Sequence, residues 1–174
     1  MLRRSPVLVL ACLGLVATWA CGPQPDLKTL KVVPGISGFI DGGYVPVGQP
    51  YAGQARLLPS ITFQLKNEGT LPLEYVDLTV AFWRANDDGE KDSKLIHAIG
   101  KDGLAPGATT DTLTVQSTVG YTSPTAPAEF FSSSYFIDFK VKIFARRAGN
   151  NASLGELTVE RRILPVPRKD GLHQ

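Results

Sequence analysis

Histidine and cysteine are nearly absent from this chain: two of each in 174 residues, with a single methionine. His173 belongs to the charged C-terminal tail, so His97 is the one histidine inside the patterned part of the sequence. That scarcity excludes a His/Cys zinc site, and a Ser-His-Asp triad would have to use His97. Strand alternation instead puts His97 on the face of Leu95 and Ile99, as a partly buried, hydrogen-bonded core residue. No window carries a helical apolar stripe for more than two turns. An excess of charge of one sign is also missing. The chain has 18 Lys and Arg against 16 Asp and Glu, and without Arg3 and Arg4 the balance is 16 to 16. Nucleic-acid binders and polybasic membrane binders need an uncompensated positive surface, so both classes are excluded.

What is present begins with an address. Met1 to Arg4 is a charged start, Val7 to Ala17 is apolar, and Thr18-Trp19-Ala20 leads into Cys21. The uncharged stretch Ser5 to Ala20 has 16 residues, short of the roughly 20 that cross a bilayer core as a helix. Residues 1–20 therefore read as an export signal. A small residue followed at once by Cys resembles the lipobox of bacterial lipoproteins. The resemblance implies cleavage before Cys21, acylation of its thiol with palmitate-type chains, and acylation of its new amine. With Cys12 removed, Cys21 is the lone thiol, which has no internal disulfide partner and so needs another role. Each buried CH₂ contributes about 0.8 kcal/mol, so two or three acyl chains anchor where one is marginal. Gly22 follows the Cys where an Asp would imply inner-membrane retention, so the family rule points to the outer membrane.

Hydrophobic content of 43%, with 17 Gly and 13 Pro, indicates a folded, turn-rich, mostly β chain. Residues 21–28 read as a tether, 29–165 as one domain, and 166–174 as a frayed tail. Thr29 to Val33 is a first strand. The Gly/Pro-rich segment 34–53 reads as short edge strands and turns, since no phosphate-binding or nucleophile-elbow motif is complete there. From residue 60 the pattern alternates cleanly. Ile61, Phe63 and Leu65 share one face. A strand over 73–84 points Val76, Leu78, Val80 and Phe82 inward. Strands at Lys94 to Ile99 and Thr109 to Ser117 follow. The longest, about 134–146, puts Tyr135, Ile137, Phe139, Val141 and Ile143 on one face. Ala148-Gly-Asn-Asn151 is a hairpin turn, and Leu157 to Leu164 closes the sheet. About seven strands separated by turn signals predict an all-β, immunoglobulin-like antiparallel β-sandwich, with a closed barrel as the alternative.

Residues 61–115 carry Leu65-Lys-Asn-Glu-Gly69, the apolar run Leu73 to Phe82, Asp88-Gly89, and Gly103-Leu-Ala-Pro-Gly107 before a Thr-rich strand. This stretch resembles the small immunoglobulin-like domains of bacterial envelope proteins, of the FxLYD and CARDB kind. The resemblance implies an adaptor or accessory module rather than an enzyme.

Other constellations have plainer readings. Asn86 to Asp92 is acidic, but an EF-hand frame on Gly89 would put Arg84 and Leu95 at ligand positions, so a solvated hairpin tip is expected. Arg146-Arg147 and Arg161-Arg162 flank one hairpin and are split between faces by alternation, as ordinary surface charge. Segment 118–133 exceeds a usual inter-strand loop. Its Tyr121, Phe130 and Phe131 either cap one end of the sandwich or dock a partner. The sequence therefore predicts a membrane-anchored lipoprotein in the outer membrane, facing the periplasm or the cell exterior. It would be a non-catalytic binding or accessory module with an envelope protein partner and no cofactor, metal or nucleic acid. The alternative is an envelope enzyme or small-ligand carrier built on a β-barrel cavity.

Overall fold

The computed structural model describes residues 24–124 and 126–165. The export signal, Cys21 and residues 166–174 lie outside the described residues. After a single 3-10 turn at Leu27–Thr29 the chain forms β1 (Leu30–Tyr44), β2 (Ala55–Asn67), β3 (Val76–Arg84), β4 (Glu90–Ile99), β5 (Leu113–Gln116) and β6 (Tyr121–Ser123). A one-turn helix α1 (Pro127–Phe130) precedes β7 (Phe139–Arg147), β8 (Asn150–Thr158) and β9 (Ile163–Leu164).

The strands form two sheets, one ordered β5-β2-β1-β9 with β6 also on β2, the other β4-β3-β7-β8. This is an immunoglobulin-like β-sandwich with nine strands, because β6 and β9 add to the expected set. β5 and β6 pair with successive parts of β2, so they are two halves of one interrupted edge strand. Alternation set the core as expected. Ile61, Phe63, Leu65, Val76, Leu78, Val80, Phe82, Val141 and Ile143 are fully buried between the sheets. Burying each such side chain contributes about 1.5–3 kcal/mol, so this stripe dominates the driving force.

Several boundaries differ from the sequence reading, each for a local reason. Residues 34–44 continue β1 rather than forming short edge strands and turns, because two bulges absorb Gly35, Gly42 and Gly43 while Gly38 pairs with Ser60. At the first, Gly35 and Ile36 face Thr62 alone, whose hydroxyl accepts from Ile36 N (2.6 Å) and donates to Ile36 O (3.1 Å). β3 starts at Val76 because Tyr75 takes a left-handed φ of 53°. Thr109 to Thr112 leave the expected strand, and Leu113 opens β5. β7 starts at Phe139, not near 134, because Ser132, Ser133 and Phe136 close successive turns on Glu129, Phe130 and Ser133. Tyr135 is consequently exposed and Phe136 buried, the reverse of the expected facing. The closing segment splits into β8, which pairs with β7, and β9, which crosses to lie parallel to β1. Leu27, expected in the tether, is buried in the core.

Candidate functional site

β1 runs from the 3-10 turn at one end of the sandwich to Tyr44 at the other, so the two ends collect different segments. The Tyr44 end gathers the β1–β2 hairpin loop and, through β6 beside Ala55–Leu57, the start of the long segment 118–138. That segment carries Tyr121, Phe130 and Phe131, and the structure brings the three together. Tyr121 is buried, while Phe130 and Phe131 are half-buried and pack on the core. The ring of Phe136 lies 5.1 Å from Tyr121, 5.8 Å from Phe130 and 5.2 Å from Phe131. Phe39 of β1 joins through Phe131 and Phe136, both at 5.4 Å. Edge and tilted ring contacts of this kind add about 0.5–1.5 kcal/mol per pair beyond area burial.

Polar contacts fix the cluster. Tyr121 Oη donates to Ile137 O (2.7 Å) and accepts from Ile137 N (3.1 Å). Burial pushes the Tyr121 phenol above its usual range. The Arg84 guanidinium lies 4.9 Å from the Tyr121 ring, and that of Arg161 lies 5.1 Å from Phe136. Arg161 also grips Asp138 with two donors, at 2.7 and 2.9 Å, which holds the Asp138 carboxyl below its ordinary range. Its third contact, to Phe131 O at 3.3 Å, staples the segment down. The arrangement is that of a cap on the core, with Tyr135 projecting at 82% exposure beside it. Sequence reasoning missed Phe39, Phe136, Arg161 and Asp138 as members. The signal available was the spacing Phe130-Phe131…Phe136, which strand alternation masked.

The other candidates resolve individually. His97 Nδ1 is 2.5 Å from Asp77 Oδ1, so the expected hydrogen bond exists, but the side chain is 84% exposed. The expected core placement fails because Ala98 is an extra residue in β4. Val76 pairs with Ile99 and Asp77 with His97, so the bulge puts His97 and Ile99 on different faces. Leu95 turns outward with it. In the acidic run, Asp87 accepts from Gly89 N and pairs with Lys91, which hold its carboxyl below its ordinary range. Among the described residues no group of three His, Cys, Asp or Glu is placed to hold a metal. The arginine pairs do not flank one hairpin. Arg146 and Arg147 end β7, whereas Arg161 and Arg162 follow β8 at the opposite end. Arg147 donates to Glu74 O, and Arg162 to Ser37 O and Glu160.

Several hollows open on the surface among the described residues. One, of about 420 Å³, includes Asp102, Thr109, Thr110 and Asp111. Another, of about 390 Å³, is walled by Trp83 with Lys140, Lys142 and Glu156. There Lys140 pairs with Glu156 at 3.0 Å, and the Lys142 ammonium sits 4.2 Å from the Trp83 ring centroid. Beyond these, Asp92 joins the sheets. Its carboxylate accepts from Thr118 N (2.7 Å), Ser117 Oγ (2.8 Å), Thr118 Oγ1 (3.0 Å) and Lys94 Nζ. Burial opposes the charge, but these donors outweigh it and hold the carboxyl far below its ordinary range.

No family model and no curated protein matches the chain. Among solved structures, a β-glucuronidase from Bacteroides uniformis is similar at 14% identity and a TM-score of 0.39, over 75% of this chain and 12% of that one. An alkylpurine DNA glycosylase from Pseudomonas fluorescens, bound to DNA with an abasic-site analogue, is similar at 12% identity and a TM-score of 0.34, over 77% and 30%. The chain thus spans less than a third of either structure.

Proposed function

We propose that this protein is a bacterial lipoprotein, anchored through acylated Cys21, whose sandwich serves as a non-catalytic binding module of a cell-envelope assembly. The observation that carries the reading is Ala20-Cys21 at the end of a charged-then-apolar leader, with no other thiol downstream. Gly22 favours the outer membrane, and export places the domain in the periplasm or at the cell exterior. The fold is compatible with a tethered module, because among the described residues its buried apolar set runs from Leu27 to Val159. The absence of charge bias fits a protein partner better than a nucleic acid.

Intact-mass spectrometry of the membrane-extracted chain tests the anchor. A mass beginning at Cys21 with added acyl chains is expected, and Cys21→Ser should abolish the acyl mass and leave the leader uncut. A wild-type chain that is soluble and carries no acyl mass overturns the reading.

A further inference from the structure

The β1–β2 hairpin loop combines exposed apolar side chains with an absence of charge. From Gly42 to Gln54 there is no charged residue, and the flanking Asp41 and Arg56 cancel. Val47 stands at 97% exposure, flanked by Tyr44 at 75% and Tyr51 at 66%. Val45 is buried and pins the loop to the domain. The loop is held by its own backbone. Val45 N donates to Gln54 O, Gly53 N to Val45 O, Gln49 N to Pro46 O, Ala52 N to Gln49 O and Gln54 N to Tyr51 O. Pro46 and Pro50 have no N–H to satisfy. Tyr51 is held at φ 67°, a conformation disfavoured for a residue with a side chain.

We propose that this tip is a docking element for the surface of an electrically neutral lipid bilayer. Three features select lipid over protein. The tip presents an aliphatic apex between two tyrosines, and tyrosine is the side chain that settles at headgroup level with its ring in and its hydroxyl wet. Seven of the ten positions from Val45 to Gln54 have a bonded backbone donor or are proline, which lowers the penalty for a shallow insertion that leaves the N–H groups of Val47, Gly48 and Tyr51 to the hydrated headgroup level. It is also a narrow convex knob with few side-chain hydrogen-bonding groups. An ordinary protein interface needs about 800 Å² a side and roughly ten hydrogen bonds, whereas a bilayer accepts a knob of any outline. The inference does not depend on acylation of Cys21. The tip lies at the end of β1 away from residue 24, beyond a strand that spans the 13 residues of β2, roughly 40 Å at about 3.3 Å per residue.

The test is flotation of the chain 22–174, which lacks the leader and Cys21 but keeps every core residue, with vesicles of pure phosphatidylcholine. Co-flotation is expected, and it should be the same at low and high salt because the tip carries no charge. Val47→Asp, or Tyr44→Ser with Tyr51→Ser, should lower the bound fraction about tenfold with an unchanged melting temperature. Leu95→Asp, exposed on a sheet face, should leave it unchanged. No co-flotation, full binding by Val47→Asp, or binding confined to anionic vesicles and lost in salt would overturn the proposal. A photoreactive residue at position 47 of the full chain in cells should give lipid adducts, and protein adducts without lipid adducts would overturn it as well. The anchor is read separately by intact mass, so either idea can fail alone.

Discussion

At the scale of single residues, Asp92 ties β4 to the segment after β5 and so joins the two sheets along one edge. Its folded carboxyl is depressed by donors that the unfolded chain does not supply. The stability it contributes is therefore full above the unfolded value near 3.8 and is lost as pH falls through the folded value. Asp92→Asn should lower stability by about 2–3 kcal/mol at neutral pH, since a charged acceptor set is replaced by a neutral amide. The gap between variant and wild type should shrink as pH drops below about 4. Denaturant midpoints at neutral and acid pH check both the size and the sign; a gap that widens in acid would contradict the assignment. Asn67 works differently, without charge. Fully buried, it donates from Nδ2 to Leu71 O and Leu104 O and accepts from Gly69 N, all at 2.9 Å. Leu104 O keeps a second donor in Leu73 N, but among the described residues no second donor to Leu71 O accompanies it. Asn67→Ala should cost about 2–3 kcal/mol, mostly from groups left unsatisfied, and calorimetry reads it directly. Lys-Asn-Glu-Gly and Leu-Ala-Pro-Gly meet at this Asn67 contact. The two stretches fold onto each other, with Gly107 N donating to Asn67 O.

At the scale of elements, what was legible followed period-two alternation, and what was not followed a change of phase. Ile61 to Leu65 and Val76 to Phe82 lie in strands without interruption between those residues, so their facing could be read directly. His97 and Ile99 could not, because one bulged residue between them reverses the face, and the sequence Ile-His-Ala-Ile does not announce a bulge. The glycines of β1 misled in the other direction: they signal turns, yet here they permit two bulges inside one 15-residue strand. Segment 118–138 combines both problems. Gly120 is required at the break between β5 and β6, because a Cβ there would collide with Leu57 O. The cap then reverses the expected order of Tyr135 and Phe136. Phe136→Ala should therefore cost about 3–5 kcal/mol, while Tyr135→Ala should stay within about 0.5 kcal/mol. Phe130→Ala and Phe131→Ala, half-buried, should fall between. If either of the latter abolishes partner capture with an unchanged denaturant midpoint, the segment is a docking surface rather than a cap.

At the scale of the whole molecule, the question is where the tether stops and the domain starts, because that sets how far the sandwich stands from an anchor at Cys21. The sequence reading placed the boundary after residue 28, on the strength of two prolines and few apolar residues. The structure moves it earlier. Asp26 caps the 3-10 turn through Lys28 N at 2.9 Å, Thr29 Oγ1 donates to Asp26 O, and Leu27 is 5% exposed among core residues. Glu68 N then bonds to Thr29 O, tying the turn to the β2–β3 connection. Leu27 is a solitary apolar residue between Asp and Lys, so periodicity had nothing to act on. If these contacts define the boundary, a chain starting at Gln24 should melt with the chain from Gly22, whereas one starting at Leu30 should lose roughly 2–5 kcal/mol, and Leu27→Ala alone should lose a similar amount. Thermal melts of the four forms decide it. Equal melting of the chain from Leu30 and the chain from Gly22 would return residues 24–29 to the tether and lengthen the reach of the domain from the proposed anchor.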